Sequence, residues 1–169
     1  MKITNTRIVS WIAAILALPS IACPFHGLEV DGLTAELSHT ISYYIQHNRK
    51  TGLLTPSSND AMVLFSFLQM VKNADNESVA FHLRQPIDGH LSSFDSTSTS
   101  INLSYKESGD LPVLITETDV LHGLVTRKLS WTFAKVEGLV TINGSAEQRE
   151  QLDRIFQTIF GFAAPLTKD

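Results

Sequence analysis

Hydrophobic residues recur at helical spacing in the part of the chain that follows residue 33. An amphipathic helix is predicted between Thr34, a candidate N-cap, and Gly52, a residue suited to a helix end. A second helix is predicted to begin near Asn59, and almost every residue from 61 to 71 is apolar. Because a helix that is apolar all round is typical of a protein interior, we expect this one to be buried on most sides.

The middle of the chain changes to the alternating pattern of strands that have one polar face. Strands are predicted at residues 79–83 and 101–105, with a further short strand at 91–94. The turn signal Pro86–Gly89 separates the first strand from the short one. Successive strands joined by short turns favour antiparallel pairing.

The last third of the chain alternates short strands with helices. A strand at residues 113–116 leads into a helix at 119–127, for which Thr118 is a candidate cap. Ser130 can cap a further helical turn, and residues 139–142 form the next predicted strand. This part of the chain therefore predicts a compact succession of strand, helix, helix and strand.

The C-terminal helix has the clearest local pattern. Ser145 and Gln148 have the spacing of a capping box, and Gly161 follows the last apolar position. The apolar stripe behind the cap consists of Leu152, Ile155, Phe156, Ile159 and Phe160. Their spacing predicts an amphipathic helix that buries one face.

A family resemblance is visible in residues 114–121, 128–131 and 138–144, together with Ala134. These residues resemble the C-terminal half of an SCP2-like (sterol carrier protein 2) domain, which has a strand, a helix ending in a Gly-Lys-Leu-like turn, an alanine-bearing helix, a glycine and a strand closed by a glycine. The sequence departs from the family at Arg127, where a glycine usually precedes the lysine.

The resemblance implies an α+β, SCP2-like fold, in which helices cover one face of a mostly antiparallel sheet of about five strands. It also implies a lipid-accommodating tunnel between the sheet and the helices. The apolar residues that we expect to form its wall are Phe65, Leu68, Trp131, Phe133, Phe156, Ile159 and Phe160. Residues of this kind more often form an ordinary packed core than a ligand site, since an aromatic stripe at helical spacing is what any packed helix shows.

An export signal is predicted for residues 1–22. Lys2 and Arg7 precede an apolar run from Ile8 to Leu18, which is shorter than the roughly 20 residues that span a bilayer. Small residues before Cys23 suit cleavage after Ala22. We therefore expect a periplasmic or envelope-associated bacterial protein, with a secreted protein as the alternative.

The remaining residues, 23–169, are expected to form a single domain, because this length suits one buried core. Cys23, the sole cysteine, is also a lipidation candidate, since its surroundings match a lipobox apart from Ser20. Lipidation would attach the protein to a membrane. Removal of the signal changes the formal net charge from −4 to −6, so nucleic acid is not expected as a partner.

No catalytic residue, cofactor or metal site is expected, although the sequence contains two weaker patterns. Residues 23–26 offer a cysteine and a histidine to a metal, but a haem attachment site would need a second cysteine. Glu117 and Asp119 lie near His122, so a carboxylate could orient its imidazole. Capping and solvated surface positions are the more common explanation for such residues.

The sequence thus favours an exported, non-enzymatic protein that binds a lipid or another hydrophobic small molecule. The alternative is an envelope scaffold with a filled SCP2-like core and no ligand, whose protein partner the sequence does not identify. The two hypotheses differ in whether the predicted wall residues leave a continuous apolar space or close on one another.

Overall fold

The computed structural model describes residues 32–56, 59–74, 78–97 and 110–162. Five helices and four strands occur in this part of the chain, and they confirm the α+β class. Their order is α1 (Gly32–Lys50), α2 (Asp60–Ala74), β1 (Ala80–Gln85), β2 (His90–Asp95), β3 (Val113–Ile115), α3 (Thr118–Val125), α4 (Trp131–Val136), β4 (Thr141–Asn143) and α5 (Ala146–Phe160).

The strands form one sheet in the order β2-β1-β3-β4. β1 and β2 are an antiparallel hairpin, and β3 and β4 are also antiparallel. β1 and β3, however, run parallel, with Leu83 opposite Leu114. The end of β2 and the start of β3 lie at the same end of β1, since Ala80 pairs with Asp95 and His82 pairs with Val113.

The sheet therefore differs from the mostly antiparallel sheet of about five strands that was expected. It is mixed, and four strands lie in the described residues. The predicted strand at residues 101–105 lies outside them. The short run at residues 91–94, by contrast, is a full partner of β1.

Helices lie on both faces of the sheet. Alternate residues of a strand point to opposite faces, and Phe81 of β1 packs edge-on against Phe156 of α5, with ring centroids 5.7 Å apart. Phe67 of α2 packs on the same Phe156 ring. On the opposite face, Asn143 of β4 donates a 2.8 Å side-chain hydrogen bond to Thr34 of α1. α2 and α5 thus form the expected helical layer on one face, whereas α1 covers the other face.

The structure confirms only some of the predicted helix caps. Ser130 accepts a hydrogen bond from the Phe133 amide at the start of α4, and Ser145 forms the predicted capping box of α5. Thr34 and Thr118 were predicted as caps, but both lie inside helices, where their side chains bond to other elements. Glu117 takes the N-cap position of α3.

The expectation that α2 is buried on most sides is wrong. Its buried residues Val63, Phe67, Leu68 and Val71 lie on one side, which packs against α3 and α5. Met62 and Phe65 face away from this interface and are 64% and 56% exposed. The helix is at the surface, so its second apolar side has no neighbour among the described residues that buries it.

Candidate functional site

The space between the sheet and the helices is occupied by an aromatic cluster, which we define as Phe67, Phe81, Trp131, Phe156 and Phe160. All five side chains are buried. The Phe67 and Phe160 rings are stacked with centroids 5.2 Å apart, and the Trp131 and Phe156 rings are 4.8 Å apart. Aromatic pairs at such distances contribute about 0.5–1.5 kcal/mol each beyond their burial. The cluster therefore fixes α2, α4 and α5 to one another over β1.

Four of the seven predicted wall residues belong to this core. Trp131, Phe156 and Phe160 are members of the aromatic cluster, and Leu68 is buried in the same hydrophobic core. Ile159 is half-buried against it. Phe65 and Phe133 lie outside it, with 56% and 37% of their surfaces exposed.

Two members of the cluster were not predicted as site residues. Phe67 lies in the apolar run of α2, where helical spacing alone did not distinguish it from Phe65. Phe81 alternates with polar neighbours in β1, a signal that identified a buried strand face but not what covers it. Which of these side chains meet depends on the packing of α5 onto the sheet, which local spacing does not encode.

The outer face of α2, which we define as Ala61, Met62 and Phe65, is an exposed apolar surface. Its residues have the i, i+3 and i, i+4 spacing of neighbours on one side of a helix. It lies on the other side of α2 from Phe67, so the same helix has an exposed apolar face and a buried one.

A second unusual feature is a pair of buried carboxyl groups at the start of α3. Asp119 accepts a 2.6 Å hydrogen bond from Arg49 Nε, and the Asp119 side chain is 1% exposed. Glu117 is fully buried, and its Oε1 accepts a 2.5 Å hydrogen bond from the Ile87 amide. Burial raises the pKa of Glu117 to about 8, with Asp88 adding to the rise and Arg49 opposing it. A pKa near 8 favours the protonated, neutral form of the Glu117 carboxyl at pH 7.

This geometry does not provide the arrangement that the sequence suggested, in which a carboxylate of Glu117 or Asp119 orients the His122 imidazole. The carboxyl groups of Glu117 and Asp119 bond to the Ile87 amide and to Arg49, which links the β1–β2 turn and α1 to α3. Those bonds make them structural connections rather than groups that orient His122. Within the described residues, no cluster of three or more His, Cys, Asp or Glu side chains could hold a metal ion. The Cys23–His26 segment lies outside those residues.

An open cleft of about 530 Å³ lies on the opposite face of the sheet from the aromatic cluster. α1 forms one wall and the β1–β2 hairpin forms the other. The residues that line it are Ala35, Ser38, His39, Ser42, Tyr43, Gln46, Arg84, Gln85, Pro86, Gly89, His90 and Leu91. We call it the α1 cleft. Most of the residues that line it are polar, in contrast to those of the aromatic cluster.

None of the helices that the structure describes has the length and hydropathy needed to cross a bilayer.

Comparison with solved structures found two sterol carrier proteins. Sterol Carrier Protein 2 Like 2 from Aedes aegypti is 13% identical, with a TM-score of 0.43 over 55% of this chain and 92% of that chain. Sterol Carrier Protein 2 from Yarrowia lipolytica in its apo form is 18% identical, with a TM-score of 0.34 over 79% and 97%. No family model and no curated protein matches. Both solved structures carry the name of the family that residues 114–144 resemble.

Proposed function

We propose that this protein binds a lipid or another hydrophobic small molecule, which it takes up at the outer face of α2. The single observation that supports this most is the position of α2, which buries Phe67 and Leu68 on one side and exposes Met62 and Phe65 on the other. A hydrophobic molecule arriving at the outer face of α2 would meet apolar side chains before it reached the core.

The energetics favour covering this face. Removing a Met or Phe side chain of this kind from water stabilises by about 1.5–3 kcal/mol when burial is complete. Separating Phe67 from Phe160 would cost a stacked pair worth about 0.5–1.5 kcal/mol. A ligand on the outer face of α2 would cover Met62 and Phe65 without separating that pair, because Phe67 lies on the other side of the helix. Met62 can adapt to different ligand shapes because its side chain is unbranched and flexible.

Export belongs to the same proposal. We expect residues 1–22 to direct the chain across a membrane and to be removed, which leaves Cys23 as the first residue and as the candidate for acylation. The protein would then be a binding protein of the periplasm or envelope, without enzymatic activity. The secreted protein remains the alternative location.

The packing of the aromatic cluster favours a second candidate function. Phe67 and Phe160 stack with only 6° between their planes, and Trp131 and Phe156 are buried in direct contact. A core that is filled in this way would suit an envelope scaffold, in which the outer face of α2 contacts another protein. Binding to isolated lipids distinguishes the two functions.

The experiment is a fluorescence titration with oleate that uses Trp131 as the internal reporter. If residues 1–22 are removed, Trp131 is the single tryptophan of the chain, and it lies 4.8 Å from Phe156. We expect a saturable change in its emission. A Met62→Ser, Phe65→Ser double variant should bind oleate at least five-fold more weakly because it replaces apolar surface on α2.

The matched control is Tyr43→Ser, which removes an exposed aromatic side chain from α1 on the opposite face of the sheet. It should leave oleate affinity unchanged. Circular dichroism would verify that each variant keeps its helices. If the wild-type emission does not respond to oleate or to a broad lipid panel, the scaffold function is favoured instead.

Intact mass spectrometry tests the export proposal separately. Protein recovered from the periplasm and membranes of a bacterial host should have the mass of residues 23–169, with a diacylglyceryl increment if Cys23 is acylated. A chain that stays in the cytoplasm with residues 1–22 attached would contradict export and would leave the ligand proposal to the titration.

A further inference from the structure

The β1–β2 turn, residues Pro86–Gly89, is part of the wall of the α1 cleft and is also bonded to α3. Pro86 and Gly89 line the cleft. Between them, the Ile87 amide donates its 2.5 Å hydrogen bond to Glu117 at the start of α3. Gly89 has a φ of 70°, and a Cβ built there would meet no atom of the described residues within 4 Å. The turn therefore has open space at one end and is held to α3 through Glu117.

Two carboxyl groups meet where the turn contacts α3. The side chains of Glu117 and Asp88 are within hydrogen-bonding contact, which requires that one of them carry a proton, since an ionised carboxylate only accepts hydrogen bonds. Glu117 is the buried member of the pair and Asp88 the exposed one. Among the described residues no N–H or hydroxyl group donates to the buried Glu117 Oε2. A proton held by the pair is therefore what satisfies these oxygens.

The charged groups that face Glu117 in the described residues come from the turn and from α1. Asp88 of the turn raises the pKa of Glu117 and Arg49 of α1 lowers it, while Asp119 on α3 is bonded to Arg49. Burial is the largest cause of the raised pKa, and the Ile87 amide opposes it because a charged carboxylate is the stronger acceptor. Once ionised, Glu117 is therefore stabilised by contact with water and by greater distance from Asp88.

The turn, rather than α3, can move to provide both. The backbone carbonyl of Glu117 accepts hydrogen bonds from two amides in the first turn of α3, which fixes its position. Asp88 lies at an exposed position between two strands that are held together by their own pairing. A shift of residues 86–89 would separate the carboxyl groups and admit water without breaking the sheet or the helix. The half-buried Ile87 side chain packs against the core and limits this movement.

We propose that the β1–β2 turn is a pH-sensitive flap of the α1 cleft, held against α3 by a proton shared between Glu117 and Asp88. When the proton is lost to solvent, the two carboxylates repel each other and residues 86–89 move away from α3. The cleft then changes shape, because Pro86 and Gly89 belong to its wall. The change takes place as the pH rises through about 8 and is reversed as the pH falls. It is independent of ligand uptake at the outer face of α2.

The test is an NMR titration of the isotope-labelled protein from about pH 6 to pH 9.5. We expect the Glu117 carboxyl carbon to titrate with a midpoint near 8, together with the amides of Ile87, Gly89 and His90. The protection of the Ile87 amide against hydrogen exchange should fall about ten-fold over the same interval, while amides of the aromatic cluster keep theirs. Retained protection at Ile87 would show that only the Asp88 side chain moves, and an equal loss throughout the core would show general loosening. Either result would overturn the flap.

Two variants and a matched control assign the change to the carboxyl pair. Glu117→Gln removes the titrating group and keeps an oxygen for the Ile87 amide, so the shifts near pH 8 should disappear. Asp88→Asn should lower their midpoint by about one pH unit, because it removes the neighbouring charge. Glu150→Gln removes an exposed carboxylate of α5 and should leave the midpoint unchanged.

The outcome does not depend on the buried variant alone. If Glu117→Gln fails to fold, Asp88→Asn decides the question, since Asp88 is at an exposed position. An unchanged midpoint in Asp88→Asn, or an equal decrease in Glu150→Gln, would overturn the proposal.

Discussion

Arg49 and Asp119 join the C-terminal end of α1 to the first turn of α3 through a 2.6 Å contact between Arg49 Nε and Asp119 Oδ2. The Asp119 side chain is almost fully buried, whereas a quarter of the Arg49 side chain is exposed. The hydrogen bond that Arg49 donates to Asp119 raises the pKa of the Arg49 guanidinium, which therefore stays charged in the folded protein. The pair fixes one end of α1 against the helical layer on the other side of the sheet.

Loss of the Arg49 charge should strongly destabilise the fold. Arg49→Met leaves Asp119 buried without its cation, and removal of one partner of a buried pair costs about 3–5 kcal/mol. The free energy of unfolding, measured by urea denaturation, should fall by about that amount. Lys135→Met is the matched control, because it breaks the exposed Lys135–Asp153 pair, worth about 0–1 kcal/mol. Equal losses in the two variants would contradict a structural role for Arg49.

Glu117 should make the stability depend on pH. Its pKa is about 8 in the folded protein and near 4.5 when unfolded, so folding binds a proton between these values. The stabilisation from the neutral carboxyl is fully present below pH 4.5 and is lost as the pH rises through about 8. We expect the urea midpoint to fall between pH 5 and pH 8.5.

The control for this prediction is Glu117→Gln, which stays neutral at every pH and keeps an oxygen to accept from the Ile87 amide. Its urea midpoint should change much less than that of the wild type over the same interval. If both proteins lose the same stability, other titrating groups cause the pH dependence.

Arg127 should be replaceable by glycine with a gain in stability. Its φ of 59° lies in the left-handed region, which costs a non-glycine residue roughly 1–2 kcal/mol. It follows α3, at the position where the SCP2-like pattern usually has glycine. Arg127→Gly should therefore raise the free energy of unfolding by about 0.5–1 kcal/mol in urea, whereas Arg127→Ala, which keeps a Cβ, should not. A loss of stability in the glycine variant would show that the Arg127 side chain contributes more than its backbone costs.

The sequence predicted those parts of the fold that depend on neighbouring residues. The Ser145 capping box and the Ser130 cap were found because a hydroxyl reaches an amide three positions away. The parallel pairing of Leu83 with Leu114 was missed, since no local pattern records which strand inserts beside β1. Thr34 was assigned to a cap because its true partner, Asn143, is 109 positions away.

The prediction of the apolar wall was limited in the same way, because it also rested on local spacing. Helical spacing selected Trp131 and Phe156, which meet in the core, but it also selected Phe65, which faces solvent. Both sides of α2 are apolar, so helical spacing alone does not show which of them is buried. Arg84 and Ser38 were not singled out, because one lies on a strand and the other on a helix, and the fold alone brings them to one cleft.

The placement of β3 between β1 and β4 affects when the protein can fold during its synthesis. α1 contacts β3 and β4, so these contacts cannot form until residues 113–143 have been synthesised. Until then β1 has one unpaired edge, which remains available to other chains. Long-range pairing of this kind also slows folding. The newly made chain thus stays incompletely folded until its last third is complete. The proposed export would carry the chain across the membrane in this incompletely folded form.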